Sequence, residues 1–278
     1  MRLSPLLPPL GSLKIVDVGA MMFADVGDAY ARLRQSMPCR IVGFEPVVDE
    51  CARLNERKRP GDIYLPYVVG DGSSRTFYEC NFSMTSSLFE PNTPLLSKFQ
   101  NLEEQTRVVR TTSVETKRLD DLMETAGTDY LKLDVQGAEI LVLQGAQARL
   151  EDILVVHTEV LFVELYKGQA TFADIDTFLR ARGFVLHRLS HEGRAFKPVI
   201  LNGNINGPGS QMLWGDAVYV RDFMSLEGLT PEKLLKLAVI LDENYDSVDF
   251  TTFVLGAYDR LTGAAVRAAY MKVLAGAA

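Results

Sequence analysis

Tyr130-Leu-Lys-Leu-Asp134-Val-Gln-Gly137-Ala-Glu139 is the stretch that fixes how this chain is read. It has the form of a buried strand that stops on a carboxylate, turns at Gln136-Gly137 and enters a helix. Ala138, Leu141, Val142 and Gly145 then recur at i, i+3, i+4 and i+7, the core-facing stripe of that helix. In an open parallel α/β sheet the carboxyl ends of the strands border the ligand crevice. An acid at that edge therefore faces chemistry and not core.

The same alternation extends in both directions. Upstream, Leu13–Gly19, Arg40–Pro46 and Ile63–Val69 read as strands, with helices at Asp25–Ser36 and Asp49–Lys58. Downstream come a strand at Ile153–Val160, a helix at Phe172–Ala181, and strands from Phe184 to about Ser190 and over Gln211–Arg221. Repeated βα units predict a mostly parallel, Rossmann-like seven-stranded sheet covered on both faces. The last two strands are joined by the turn-rich Asn202-Gly-Asn-Ile-Asn-Gly-Pro-Gly209 and not by a helix, which predicts an antiparallel pair at one edge. Arg75–Phe82 and Arg107–Lys117 look like strands with no covering helix, separated by a loop at Met84–Asn92. They predict an insertion over the crevice, at about 75–117, where loops carry substrate contacts.

Beyond Thr230-Pro231 the pattern becomes all-helical. The apolar stripes are Leu234, Leu237, Ala238 and Leu241; Phe250, Phe253, Val254 and Ala257; and Val266, Ala269, Tyr270 and Val273. The expected division is a domain over residues 1–228 and a helical extension over 229–278, packing on the domain or on a second subunit as a homo-oligomer.

Composition narrows the function classes. The 278 residues are 47% hydrophobic and 23% charged, ordinary values for a globular chain. With 29 Lys plus Arg against 36 Asp plus Glu, the net charge of −7 and the lack of a basic run argue against a nucleic-acid partner. Cys39, Cys51 and Cys80 have no zinc-type spacing and read as reduced thiols. The N-terminus is apolar but broken by prolines, with no signal-peptide pattern, and no apolar run is long enough to span a bilayer. A cytoplasmic location is the expectation.

Three strand ends carry candidate ligand contacts. Asp17-Val-Gly19-Ala20 follows the first strand, and Gly19 permits a tight turn and close approach to a ligand. A dinucleotide site needs G-x-G-x-x-G to seat a pyrophosphate, whereas Met21, Met22 and Phe23 follow here. Such a loop suits a smaller ligand with an amino-acid end, such as the methionyl part of S-adenosylmethionine. Glu45, followed by Pro46, ends the second strand 28 positions after Asp17, where an acid accepts hydrogen bonds from ribose hydroxyls. Val69-Gly70-Asp71-Gly72 ends the third, and Asp71 either meets an adenine amino group or starts a turn.

Lys132-Leu-Asp134-Val-Gln136-Gly137-Ala-Glu139-Ile-Leu-Val-Leu-Gln-Gly145-Ala146, with Thr158-Glu159-Val and Tyr166, resembles the FkbM-type methyltransferase family over about residues 13–223. The resemblance implies the class I methyltransferase fold, S-adenosylmethionine as donor, and a hydroxyl acceptor on a sugar or secondary metabolite. It implies cofactor contacts from Asp17, Gly19, Glu45 and Asp71, with Asp134 beside the methyl donor. Ala20, Pro46, Gly70 and Ser87 flank those positions as further cofactor candidates. Family members often carry Asn and a second Gly where this chain has Met21 and Phe23.

Methyl transfer to oxygen requires alignment and removal of one proton. Asp134 and Glu159, at neighbouring strand ends, are the candidates to attract the sulfonium or take the proton, and His157, two residues before Glu159, is a third. Paired carboxylates also suit Mg²⁺. Catechol-type O-methyltransferases, however, add an Asp-Asn-like pair where Val160 follows Glu159, so a metal is not the favoured reading. Lys132 is expected to ion-pair with an acid. Ser86, Ser87 and Tyr166 are candidates for loop hydrogen bonds, while Trp214 reads as core. The alternative function is a non-catalytic module of the same fold that holds a partner with its helical tail.

Overall fold

The protein is described by a computed structural model, over residues 3–21 and 29–276. In chain order its elements begin β1 (Leu13–Val18), α1 (Ala31–Ser36), β2 (Cys39–Phe44), α2 (Val48–Arg57), β3 (Ile63–Leu65) and β4 (Ser74–Cys80). Two single-turn helices, α3 (Thr93–Leu96) and α4 (Leu102–Gln105), precede β5 (Val108–Glu115). Then come β6 (Tyr130–Leu133), α5 (Glu139–Gln144), β7 (Val155–Leu161), α6 (Phe172–Arg180), β8 (Phe184–Leu189) and β9 (Trp214–Arg221). The chain closes with α7 (Pro231–Val239), a π-helical turn at Ile240–Asn244, α8 (Val248–Thr262) and α9 (Val266–Leu274). The first part of the helix expected at Asp25–Ser36, and Met22 and Phe23 of the loop before it, lie outside the described residues.

Seven strands form one sheet in the order β3-β2-β1-β6-β7-β9-β8, with β9 antiparallel to both neighbours and the other pairs of the sheet parallel. This is the mostly parallel sheet with an antiparallel edge pair that the strand pattern predicted. The order reverses between β1 and β6, so the loops leaving those strands diverge and open a crevice at their carboxyl ends. β4 and β5 pair only with each other, as a separate antiparallel ribbon.

Register assigns the two faces. Ile15, Ile41, Tyr130, Val155, Val218 and Val220 lie on one face and share a core with Leu237, Ile240, Leu241, Val254 and Leu255 of the tail. Val16, Val42, Leu131, Leu133, Val156 and Tyr219 lie on the other, against Val142 of α5 and Ile175 and Leu179 of α6. The tail is thus continuous with the sheet's core on one face. Its stripe is as expected on α7 and, at Val254, Ala257 and the partly buried Phe250, on α8; Thr251, Leu255 and Tyr258 are buried with them, and only Phe253 of the stripe is half exposed. Phe253 meets Phe250, which in turn meets Phe223.

Candidate active site

Gly19 shows why the crevice has its shape. Its φ is +82°, and a Cβ there would stand 2.0 Å from the carbonyl oxygen of Asp134. Only glycine lets the end of β1 close on the end of β6 at the switch point. The amides of Gly19 and Ala20 both donate to Phe44 O at 3.0 Å, so they bind the neighbouring strand end and not a ligand. The glycine is required by a protein carbonyl as much as by any cofactor.

Beside this junction lies a cleft of about 520 Å³. Gly19 and Met21 floor one end, Glu45, Pro46, Val47 and Asp49 line one side, and Asp134 and Gln136 close the other. Tyr67, Val68 and Val69 supply an apolar wall. The β4–β5 ribbon covers it: Phe77 pairs with Thr112 and Glu79 with Arg110, and these four line the cleft with Val114. Residues of the loop Ser83–Leu88 line it as well. Alternation along Arg75–Phe82 and Arg107–Lys117 is the signal that marks those ribbon positions in the sequence.

Glu45 is 3% exposed, and among described residues its carboxylate accepts one hydrogen bond, from Val47 N–H to Oε1 at 2.8 Å. Burial pushes its carboxyl up to about 7, against the pull of that amide. A buried acid with an acceptor oxygen to spare, facing an apolar cleft, fits a vicinal diol. Asp17 lies deeper: Tyr30 Oη donates to its Oδ2 at 2.7 Å, and Lys132 Nζ is 3.4 Å from its Oδ1. Lys132 also stands 3.5 Å from Asp134 Oδ2, the ion pairing expected for it. Burial opposes its charge, but the two carboxylates hold the ammonium above its ordinary value. Asp17 therefore braces the crevice from beneath through Lys132.

Gly70 and Asp71 fall off the lining. Gly70 N–H bonds Lys117 O, and Asp71 takes Ser73 N–H at 3.1 Å and Arg75 at 2.6 Å, which is the turn-starting alternative. Val68 and Val69, just before them, face the cleft instead. Ser87 is on the lining and buried, but its hydroxyl donates to Gln136 O at 2.6 Å. Ser86 binds Cys80 N–H at 3.1 Å.

The chemical edge is built around Gln136, which sequence reasoning treated only as a turn residue. Its Nε2 donates to Asp134 Oδ1 at 2.9 Å and to Glu159 Oε2 at 3.0 Å. Tyr166 Oη lies 3.2 Å from its Oε1 and 3.0 Å from Thr85 O. Glu159 is half-buried just behind the lining. Burial first, then the charges of Asp134, Glu139 and Asp216, push its carboxyl well above the usual range, and Lys132 only partly offsets them. Glu139, raised to about 7 by burial, accepts from Val135 and Gly137 amides and so serves the turn.

The structure does not bring His157 to the crevice. It lies deeper on the tail-facing side of the sheet, its Nδ1 3.0 Å from Tyr130 Oη and 3.2 Å from Tyr245 Oη. Its Nε2 is 3.5 Å from Asp216. His187 is likewise turned to the tail, 2.8 Å from Ser247 Oγ, and His191 is exposed after β8. Trp214 is half-buried at the start of β9, with Arg194 over its ring. Among the described residues no group of three or more His, Cys, Asp or Glu side chains is placed to hold a metal, and no helix is long and apolar enough to cross a membrane.

A sheet of this order, with a glycine turn after its first strand and acids at the next strand ends, defines the class I methyltransferase fold. The methyltransferase FkbM domain matches residues 17–186, more than half of the chain, and the chain belongs to that family. The 2-O-methyltransferase NoeI of Sinorhizobium fredii (strain NBRC 101917 / NGR234) is 31% identical over 168 residues. The match covers 56% of this chain and 66% of that protein, just under two thirds of its length. Among solved structures, magnesium protoporphyrin IX methyltransferase of Synechocystis PCC 6803 with bound SAM is 10% identical at a TM-score of 0.40, over 76% of this chain and 71% of that one. An NADB-Rossmann superfamily protein of Streptococcus agalactiae is 12% identical at a TM-score of 0.37, over 99% and 95%.

Proposed function

We propose that the chain is an S-adenosylmethionine-dependent O-methyltransferase acting on a hydroxyl of a small molecule, of the sugar or polyketide type. The observation that carries this reading is Glu45, a buried carboxylate with a spare acceptor at the rim of an apolar cleft that ends on Asp134. Glu45 would take the ribose hydroxyls, and Val47, Val68, Val69 and Phe77 would enclose the base. Bound there, the cofactor supplies an electrophilic methyl group. The 2-O specificity in the name of the Sinorhizobium relative supports oxygen as the acceptor atom.

The protein's own part is then positioning and proton removal. Lys132 and Gln136 fix the Asp134 carboxylate from two sides. Glu159, whose proton affinity is raised, takes the acceptor's hydroxyl proton, an effect worth roughly 10²–10⁴-fold. Self-association would use the apolar surface the tail leaves exposed, at Phe253, Leu261, Met271 and Leu274.

Calorimetry with S-adenosylmethionine, its demethylated product and NAD tests the cofactor, followed by label transfer to a panel of hydroxylated acceptors. Binding of the first two with transfer to oxygen is expected. Binding without transfer to any acceptor would favour a holding module, and binding of NAD alone would end the proposal.

A further inference from the structure

Gln136 has a φ of +55°, a region that residues with a side chain avoid. Every polar atom of its side chain is nevertheless engaged, and the partners come from four segments. Asp134 follows β6, Glu159 lies near the end of β7, Tyr166 belongs to the loop after β7, and Ser87, bonded to the Gln136 carbonyl, belongs to the segment between β4 and β5. A strained backbone held by convergent contacts points to a role for the side chain. A primary amide nitrogen carries two hydrogens, and here each goes to a different carboxylate.

The spacing is informative. Nε2 stands 2.9 Å and 3.0 Å from the two carboxylate oxygens. A neutral donor in that place bridges two acids that would otherwise repel each other.

We propose that Gln136 is the positioning residue of this edge, its one amide nitrogen holding the Glu159 carboxyl against that of Asp134. The inference rests on the reading that this edge faces the acceptor hydroxyl. The charged groups facing Glu159 are Asp134, Glu139, Asp216 and Lys132, with His157 on its own strand. Loss of the amide donor leaves the acids around it opposed only by Lys132.

Gln136→Leu keeps the length and removes the donors. It should lower kcat by roughly 10–100-fold and move the acid limb of the kcat–pH profile upward. Gln136→Asn, whose residue type tolerates the left-handed backbone and is too short to span both acids, should shift it the same way. The Glu159 carboxyl, followed by carbon-13 chemical shift in the protein without any acceptor, should titrate at higher pH in both variants than in the unaltered protein. That titration needs no acceptor, so it decides the inference even if no hydroxyl is ever methylated. A Glu159 titration or a pH profile that stays unshifted in folded Gln136→Leu and Gln136→Asn would overturn it.

Discussion

Asp129 and Asp134 flank the same four-residue strand, β6, yet the chain surrounds them in opposite ways. At the amino end, Asp129 is fully buried and meets Lys233 Nζ at 2.8 Å, Lys236 Nζ at 3.0 Å and the Lys14 amide at 3.1 Å. Two cations from α7 and a strand amide satisfy one acid, and the result clamps the tail to the sheet. At the carboxyl end the count runs the other way. Asp134 and Glu159 share one neutral amide, Asp134 shares the single cation Lys132 with Asp17, and Glu45 also lines the cleft. Acids that are over-supplied with partners hold a fold together. Acids left short of them hold protons or bind ligands.

The largest expected contrast is in turnover. Glu159→Gln should lower kcat by roughly 10²–10⁴-fold with the cofactor dissociation constant little changed, as single-turnover kinetics and calorimetry would show. A variant with normal kcat would remove Glu159 from the chemistry. At the other end of β6, Asp129→Ala takes from Lys233 and Lys236 the buried carboxylate they share, leaving Lys236, which is only 9% exposed, with Glu232 alone at 3.1 Å. It should cost about 3–5 kcal/mol in urea denaturation while activity per folded molecule holds. Loss of activity without loss of stability would erase the distinction between the two ends.

A smaller effect is expected at Glu45. Glu45→Gln should weaken S-adenosylmethionine by roughly 10–100-fold, the worth of a charge-assisted hydrogen bond. Because the Glu45 carboxyl sits at about 7 and the ionised form accepts the ribose hydroxyls, affinity should rise with pH through 7 and level off above it. The stability effect has the opposite sign. The raised value favours the protonated folded form, so stability is fully present below the unfolded value near 4.5 and declines as pH rises through 7. Glu45→Gln should therefore be the more stable protein at pH 8, by roughly 1–3 kcal/mol, and show no such gain at pH 4. Melting curves at the two pH values check this.

Much of the sheet was legible because buried parallel strands are short apolar runs that end abruptly on Gly or an acid, as at Val18-Gly19 and Leu133-Asp134. Glu45, Gly19 and Asp134 were legible for the same reason: position at a strand's carboxyl end implies position in the crevice. Asp71 was not, because β3 ends at Leu65, well before it, and Ser73 and Arg75 draw the acid back into its own turn. His157 alternates with Glu159 in sequence, but the two tyrosines that occupy it come from positions 130 and 245. On α8 only Phe253 departs from the expected stripe, because apolar residues on both sides of a helix leave its exact rotation to whatever it packs against.

The order of hydrophobic runs and strand-end residues was enough to determine a mostly parallel sheet, its antiparallel edge and the acids on its rim, since each follows from periodicity and chain direction. Which of those acids are neutralised, and by what, was decided only when segments far apart in the chain came together. Gln136 illustrates the reason. Its amide gains meaning from the distances to Asp134 and Glu159, set by the pairing of β6 with β7, and no local pattern encodes a distance across a sheet.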